Sequence, residues 1–273
     1  MSEHVAAPEL TAELACLDGE IRPAAETSVP ATDEGLLRGD GIFEVIRVYE
    51  RGPFAVMEHL DRLERSAANL RLGYAVPRAE LEAEVRELLE ARGSRFDGCL
   101  RIVLTRGGRR LLLTERLPAN VDRARLDFVT YSPTRVLDGV KSLSYAGNML
   151  ATRLARERGF DEALLVTPHG RVLEAPTSSI FWVDRAGELW TPPLDEHILA
   201  SITRDRVLRL CGARERPVTR EELLEQASEA FLASTTREVQ PVARIEGREF
   251  PEVGPRTSEA QRALRRHIAE ALG

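Results

Sequence analysis

Residues 42–49 are rich in β-branched and aromatic side chains, and the charged residues Glu44 and Arg47 interrupt an otherwise apolar segment. This pattern predicts a strand. Successive strand residues point to opposite faces, so Phe43, Val45 and Arg47 share one face and Glu44 lies on the other. Because each face carries a charged residue, we expect the strand to be buried on one side and Glu44 or Arg47 to have a polar function.

Other segments repeat apolar residues every three or four positions, which is the period of an amphipathic helix. Helices are predicted over residues 57–71, 78–93, 148–159, 202–211 and 257–272. Short apolar segments predict strands over residues 99–105, 126–131, 162–166, 171–173, 179–183, 188–191, 229–233 and 239–245. Residues 33–41 are punctuated by glycine and are predicted to form a tight loop. The mixture of elements predicts an α/β (α+β) fold.

A proline-containing stretch with few apolar residues, residues 117–133, is the best place for a domain boundary. We therefore predict an N-terminal α/β domain over residues 1–123, an interdomain segment over residues 124–135 and a C-terminal domain over residues 136–273.

Composition narrows the class of protein. The chain has 273 residues and a net charge of -6, which gives no reason to expect a nucleic-acid partner. Its three cysteines are far apart and lack metal-ligand spacing, and its five histidines are scattered, so we expect reduced thiols, a cytoplasmic location and no metal. The first ten residues do not have the pattern of a signal peptide, and no apolar run is long enough to span a membrane.

Lys141 is the only lysine among 38 basic residues, the others being arginine. Arginine supplies charge but is a poor nucleophile, whereas a primary amine forms a Schiff base with an aldehyde or ketone. A single lysine left on the surface by chance is an equally good interpretation of the composition alone.

Four short loops of the second half carry small, hydroxyl-bearing residues, namely residues 141–145, 174–179, 200–203 and 234–236. Hydroxyl groups and unpaired backbone N–H groups at a helix start hold phosphate well. A lysine near such loops suggests a phosphorylated aldehyde cofactor, which points to pyridoxal phosphate. Each loop is also explained as an ordinary helix cap or turn, because caps and turns favour the same residue types.

A set of motifs resembles one enzyme family. It comprises residues 39–49, 58–63, 141–145, 159–165, 172–181, 191–193, 198–204 and 234–241. Together they resemble the class IV, or fold type IV, pyridoxal-phosphate aminotransferases, a group that includes branched-chain aminotransferases, D-amino acid aminotransferases and 4-amino-4-deoxychorismate lyases. The resemblance covers roughly residues 33–247, and Ser144 departs from it because asparagine is more usual there. It implies a smaller N-terminal α/β domain, a larger C-terminal domain with a barrel-like β-core flanked by helices, and a homodimer with its active site near the interface.

The resemblance also implies the cofactor contacts. Lys141 would form the Schiff base and move the proton, Glu174 would pair with the pyridine nitrogen, and Arg62 would grip the phosphate. The remaining predicted contacts are Ile202, Thr203 and Thr235 at the phosphate, Tyr145 at the ring hydroxyl, and Ser178.

The substrate pocket is predicted from the facing strand and from nearby arginines. Its candidate residues are Arg38, Phe43, Val45, Arg101 and Thr236, and the pair Arg109 and Arg110 is a further candidate for binding a carboxylate. By resemblance, lyases usually have threonine and branched-chain enzymes glycine at the position of Val45, whereas D-amino acid enzymes often have valine. The chain nevertheless lacks the histidine that D-amino acid enzymes carry after residues 105–107.

The predicted activity is therefore transfer of an amino group from an amino acid or amine to a 2-oxo acid. The alternative is 4-amino-4-deoxychorismate lyase, which releases 4-aminobenzoate and pyruvate. A non-catalytic protein that only binds pyridoxal phosphate is a third hypothesis, disfavoured by the joint presence of Lys141, Glu174 and Arg62.

Overall fold

The structure is a computed structural model that describes residues 13–73, 77–93, 95–250 and 252–273. The N-terminal segment considered above for a signal peptide lies outside the described residues. The chain forms two β-sheets with helices packed against them. The predicted mixed α/β architecture is confirmed.

The first sheet has six strands in the order β2-β1-β6-β5-β3-β4. These strands are β1 (Leu14–Leu17), β2 (Glu20–Pro23), β3 (Gly41–Tyr49), β4 (Gly52–Pro53), β5 (Gly98–Thr105) and β6 (Arg110–Glu115). All of their pairings are antiparallel.

The second sheet has eight strands, seven of them in the order β11-β10-β9-β12-β13-β7-β8, with the eighth, β14, pairing with β13. They are β7 (Ala124–Thr130), β8 (Glu162–Val166), β9 (Ser179–Val183), β10 (Leu189–Thr191), β11 (Arg214–Glu215), β12 (Glu229–Ser234), β13 (Glu238–Ile245) and β14 (Arg248–Glu249). Strand β7 runs parallel to both of its neighbours, β8 and β13.

Seven α-helices accompany the sheets within the described ranges. They are α1 (Glu34–Arg38), α2 (Val56–Asn69), α3 (Arg78–Arg92), α4 (Ala146–Glu157), α5 (Ile202–Cys211), α6 (Arg220–Gln226) and α7 (Pro255–Ala271). None of these helices is both long and apolar enough to cross a membrane.

The apolar faces predicted from helical spacing form the cores. Leu60 and Leu63 of α2 and Leu88 of α3 are at most 1% exposed and pack against the first sheet. Full burial of each leucine stabilises the fold by about 1.5–3 kcal/mol. Two further clusters lie against the second sheet, one formed with α5 and α7 and the other with α4.

Four features differ from the sequence prediction. Residues 33–41 contain a short helix, because Asp33 caps α1 by accepting a hydrogen bond from the Gly35 N–H at 2.8 Å and Gly39 ends it with a positive φ. Strand β3 is largely buried on both faces, because α2 covers one of them and Phe43, on the other, packs against the Tyr145 ring. Strands β1, β2, β4, β6, β11 and β14 and helix α6 have no counterpart among the predicted elements, and residues 171–173 form only isolated bridges where a strand was predicted.

The fourth difference concerns the connector between the sheets. The chain passes from the first sheet to the second between Glu115 and Ala124, so the first half of the predicted segment 124–135 is strand β7. The two-domain division itself stays a prediction.

Candidate active site

A cleft of about 1090 Å³ opens between the first sheet and the loops of the second. Most of the predicted site residues lie along its walls: Phe43, Val45, Arg62, Arg101, Lys141, Tyr145, Glu174, Ser178, Thr235 and Thr236. Residues that are far apart in the sequence therefore meet in one cavity.

The segment that carries Lys141 is held along the edge of β3. The Phe43 N–H donates to the Lys141 carbonyl at 3.0 Å, and the Lys141 N–H donates to the Ser66 hydroxyl on α2 at 3.1 Å. The Lys141 Nζ lies 4.4 Å from the centre of the Phe43 ring and 5.8 Å from that of the Tyr145 ring. The backbone is thus fixed on both sides, and the amine lies beside two aromatic rings.

The environment of Lys141 favours a neutral amine. Burial, followed by the nearby Arg62 guanidinium, lowers the pKa of Lys141 from 10.5 to about 8, although Glu44 and Glu174 act in the opposite direction. Loss of the proton near neutral pH is what a nucleophilic or proton-transferring amine needs.

Glu174 is a second titratable group in the cleft with a shifted pKa. Burial raises the pKa of its carboxyl from 4.5 to about 7, which the hydrogen bond from the Leu199 N–H to Oε1, at 3.2 Å, only partly offsets. A carboxylate in this position is stabilised by a cationic partner, because such a partner favours its ionised form.

The Arg62 side chain extends from α2 and belongs to a buried polar cluster with Glu44 and His59. Its Nε and Nη2 groups donate to the two carboxylate oxygens of Glu44, each at 2.6 Å, and its Nη1 group donates to the Ala200 carbonyl at 3.1 Å. His59 Nδ1 lies 2.7 Å from Glu44 Oε2. These contacts connect β3, α2 and the loop before α5.

The first turn of helix α5 lies beside the cleft. Ser201 caps the helix by accepting a hydrogen bond from the Arg204 N–H at 3.3 Å, and Ser201 lines the cleft. Ile202 and Thr203 line a small adjoining cavity together with Thr235. The N–H groups of a first helical turn lack intrahelical partners and favour an anion.

Tyr145 lies on the opposite wall, at the start of α4. Its hydroxyl donates to the Pro176 carbonyl at 2.5 Å, and its ring packs edge-on against Phe43 with centroids 5.3 Å apart. Burial raises the pKa of Tyr145, so its hydroxyl keeps its proton and acts as a donor.

Only some of the residues predicted for the substrate pocket line the cleft. Val45 and Arg101 face each other across β3 and β5, and both line the cleft with Phe43. The Arg101 Nε donates to Glu115 at 2.9 Å, and its guanidinium carbon lies 5.4 Å from the Phe43 ring centre.

Four other arginines named above lie away from the cleft. Arg38 is exposed and pairs with Glu34 on its own helix at 2.7 Å. Arg47 pairs with Asp97 at 2.5 Å and donates to the Gly98 carbonyl at 3.0 Å, so it does not line the wall formed by Phe43 and Val45. Arg109, in the β5–β6 turn, pairs with Asp18, and Arg110, the first residue of β6, pairs with Glu84.

A family model described as amino-transferase class IV matches residues 41–245. The chain belongs to the class IV aminotransferases. The match begins at the first residue of β3 and ends at the last residue of β13, so it spans both sheets and the cleft between them.

Relatives of this aminotransferase carry concordant names. A D-alanine aminotransferase of Bacillus licheniformis is 32% identical over 274 residues, covering 92% of this chain and 95% of the relative. A Methanocaldococcus jannaschii protein provisionally named branched-chain-amino-acid aminotransferase is 35% identical over 255 residues, covering 85% of this chain and 88% of the relative. The crystal structure of the branched-chain aminotransferase from Thermoproteus uzoniensis with norvaline superposes with a TM-score of 0.85 at 31% identity, covering 94% of this chain and 95% of that one. These names confirm the predicted aminotransferase activity and fold type IV, and they do not favour the lyase.

Pyridoxal phosphate is the cofactor of class IV aminotransferases. The cleft of this aminotransferase fits it, because an amine with a lowered pKa, a carboxylate and a guanidinium line the same cavity. The buried Oγ atoms of Ser178 and Ser234, on the cleft wall, lack hydrogen-bond partners among the described residues. Polar atoms left unpaired in this way favour binding of a polar ligand.

Sequence reasoning did not identify three polar pairs of this aminotransferase. His59 is the second partner of Glu44, Glu115 accepts from Arg101, and Arg237 forms an ion pair with the buried Glu162 on the cleft wall. The only signal in the sequence was the charged residue at position 44 in an otherwise apolar strand.

Proposed function

We propose that this aminotransferase transfers the amino group of a branched-chain L-amino acid, a D-amino acid or an amine to a 2-oxo acid. One observation carries the proposal, namely that Lys141, Glu174 and Arg62 line the same cleft. The pKa of Lys141 is about 8 and that of Glu174 about 7, and perturbed values of this kind are typical of catalytic groups.

In the proposal, each cofactor contact has a separate task. When bound, pyridoxal phosphate supplies an aldehyde that condenses with an amine and a ring that accepts electrons. Lys141 anchors the cofactor and then moves a proton between the substrate α-carbon and the carbon that bears the aldehyde. Glu174 keeps the ring nitrogen protonated, because its negative charge stabilises the cation.

The remaining contacts hold the cofactor in register. Arg62, the first turn of α5 at Ile202 and Thr203, and the Thr235 hydroxyl bind the phosphate. Tyr145 and Ser178 contact the ring side, with the Tyr145 oxygen accepting a hydrogen bond from the ring hydroxyl.

The substrate is proposed to bind between β3 and the β12–β13 turn. Arg101 binds the carboxylate, because a guanidinium fork matches two carboxylate oxygens. Phe43 and Val45 contact the apolar side chain and exclude water, and Thr236 contacts the carboxylate end. The names of the branched-chain and D-alanine relatives support an amino acid as the substrate.

The function is tested by adding a panel of L-amino acids, D-amino acids and chiral amines to the cofactor-loaded enzyme, with 2-oxoglutarate or pyruvate as acceptor. We expect the visible absorbance to bleach with the correct donor and to return with the acceptor, which identifies the substrate class. No bleaching with any donor, together with release of 4-aminobenzoate from aminodeoxychorismate, would overturn the proposal.

Lys141→Ala gives the residue-level test. Turnover should fall by at least about 100-fold, because an acid–base group in the transition state contributes about 10²–10⁴-fold. Borohydride reduction followed by mass spectrometry should attach the cofactor to the wild-type peptide containing Lys141 and leave the variant unlabelled. Labelling of the variant would refute the assignment.

We further propose a cytoplasmic homodimer. Burial of all three free cysteines is consistent with a reducing compartment. Leu36 and Leu37 on α1 are 66% and 58% exposed, and exposed apolar residues of this kind suit a subunit interface. Light scattering should give twice the chain mass, and a fully active monomer would contradict the proposal.

A further inference from the structure

Glu44 is a fully buried carboxylate, with 0% of its surface exposed, in the centre of β3. Burial by itself raises the pKa of such a group, but the hydrogen bonds from Arg62 and His59 lower it to about 2. Glu44 is therefore ionised at every pH at which the enzyme works. A buried charge destabilises the fold unless it is paired. The Glu44 carboxylate is therefore held in the arrangement that keeps its hydrogen bonds to both Arg62 and His59.

The geometry of this contact determines where Arg62 can donate. A guanidinium has five N–H groups in a fixed fork. Glu44 accepts from Nε and Nη2, and the Ala200 carbonyl accepts from Nη1. One N–H group remains on each terminal nitrogen, and Arg62 lines the cleft. A phosphate in the cleft can accept hydrogen bonds from these two groups.

His59 fixes the other side of the carboxylate. It is 1% exposed, burial lowers its pKa, and its Nδ1 lies 2.7 Å from Glu44 Oε2. The neutral ring donates through Nδ1 because Glu44 has no proton to give. Glu44 thus cannot rotate away from Arg62 without breaking a second buried hydrogen bond.

We propose that Glu44 is a positioning residue for the cofactor phosphate, which acts by holding the Arg62 guanidinium with its two remaining donors directed into the cleft. This inference rests on the phosphate-binding role proposed for Arg62. Glu44 itself contacts neither cofactor nor substrate.

A second consequence is electrostatic. Arg62 lowers the pKa of Lys141, whereas Glu44 raises it. Removing the charge of Glu44 therefore lowers the pKa of Lys141 below its present value, and the acidic limb of the pH–rate profile moves to lower pH. A residue with only a structural role would not move this limb.

The test uses the full chain stripped of cofactor and titrated with pyridoxal phosphate or with pyridoxal, which lacks the phosphate. In Glu44→Gln, one side-chain oxygen becomes an NH₂ group, which cannot accept from Arg62. Affinity for pyridoxal phosphate should fall by about 10- to 100-fold, the range seen when a residue orienting a metal ligand is removed. Affinity for pyridoxal should stay near that of the wild type.

A matched control is available on a helix that packs against the same sheet. Glu84 on α3 is also buried and accepts two hydrogen bonds from one arginine, Arg110 on β6, away from the cleft. Glu84→Gln should lower stability in the same way but leave the preference for pyridoxal phosphate over pyridoxal unchanged. If Glu44→Gln does not fold, His59→Phe removes the donor to Glu44 alone and should reduce that preference by about three- to tenfold, the effect of one hydrogen bond.

The outcomes separate the two proposals. Arg62→Gln should remove most of the preference for pyridoxal phosphate, and failure to do so overturns the role of Arg62. If Arg62→Gln has this effect but Glu44→Gln and His59→Phe keep the wild-type preference, the inference about Glu44 is wrong and the proposed function stands.

Discussion

Lys141 illustrates how much a single residue can reveal and where that information stops. Its rarity in an arginine-rich chain suggested an amine chosen for its chemistry, yet composition alone did not exclude chance. The structure adds the missing context: the amine lies beside the Phe43 and Tyr145 rings, in a cleft that also contains Glu174 and Arg62. Phe43 lies 98 positions before Lys141 in the sequence, and Glu174 lies 33 positions after it. A local sequence pattern around Lys141 therefore cannot predict these contacts.

The pKa of Glu174 leads to a prediction at the residue scale. Its pKa is raised from 4.5 to about 7, so between these values the folded chain holds a proton that the unfolded chain releases. The contribution of this group to stability is present below pH 4.5 and is lost as pH rises through about 7. The loss is about 3 kcal/mol when the shift is converted at 1.36 kcal/mol per unit.

The measurement is urea unfolding of the cofactor-free chain between pH 4.5 and 8, compared with Glu174→Gln. The wild type should lose stability relative to the variant as pH rises. Adding pyridoxal phosphate should remove the trend, because a cationic ring nitrogen stabilises the ionised carboxylate. A stability difference that is flat across this pH range would contradict the assigned environment of Glu174.

At the scale of elements, strong periodicity was a reliable guide. Helices α2, α3, α4, α5 and α7 lie within a few residues of their predicted bounds, because each has an apolar face that a sheet covers. Strand β6 was not predicted, since its run of leucines has no alternation, and it is a strand because β1 and β5 pair with it on both sides. Helix α1 was predicted as a loop because its glycines suggested turns, although one of them occupies the left-handed position that ends a helix.

The cap of α5 gives a prediction at this scale. Ser201→Ala removes the acceptor for the Arg204 N–H and should cost about 1 kcal/mol of stability. It should also weaken binding of pyridoxal phosphate, since the cap fixes the helix turn proposed to hold the phosphate. Thr219 caps α6 in the same way, remote from the cleft, so Thr219→Ala is the matched control.

Thermal unfolding and cofactor titration of both variants separate the two effects. Each variant should lose a similar amount of stability, and only Ser201→Ala should lose affinity for pyridoxal phosphate relative to pyridoxal. Equal affinities in both variants would argue against a phosphate site at the start of α5.

At the scale of the whole molecule, the cleft joins the two sheets. Phe43, Val45 and Arg101 come from the first sheet, whereas Glu174, Ser178 and Thr235 come from loops of the second sheet. A ligand that contacts both walls binds only when both sheets are folded, so its binding free energy adds to the stability of each.

Pyridoxal phosphate should therefore stabilise both sheets together. At 100 times its Kd, a ligand that binds only the folded chain adds about 2.7 kcal/mol of stability. Cys16 in β1 and Cys211 in α5 are both buried thiols outside the cleft lining, and they report on the two sheets separately. Cofactor should slow thiol labelling of both cysteines, as measured by mass spectrometry of labelled peptides. Protection of Cys16 or Cys211 alone would indicate that the ligand stabilises one sheet only.

The sequence by itself determined the family, the cofactor and the order of the main elements, because these depend on motif residues and on periodicity that local side chains set. It also pointed to Lys141, Glu174 and Arg62. Only the tertiary structure decided which arginines reach the cleft: Arg101 does, whereas Arg38 and Arg47 pair with Glu34 and Asp97 elsewhere. The pairing of Glu44 was also decided only by the tertiary structure, because Arg62 and His59 on α2 reach Glu44 only when this helix packs on β3. The reason is physical, since burial and pairing set the charge state and direction of a side chain, and both arise from residues distant in the chain.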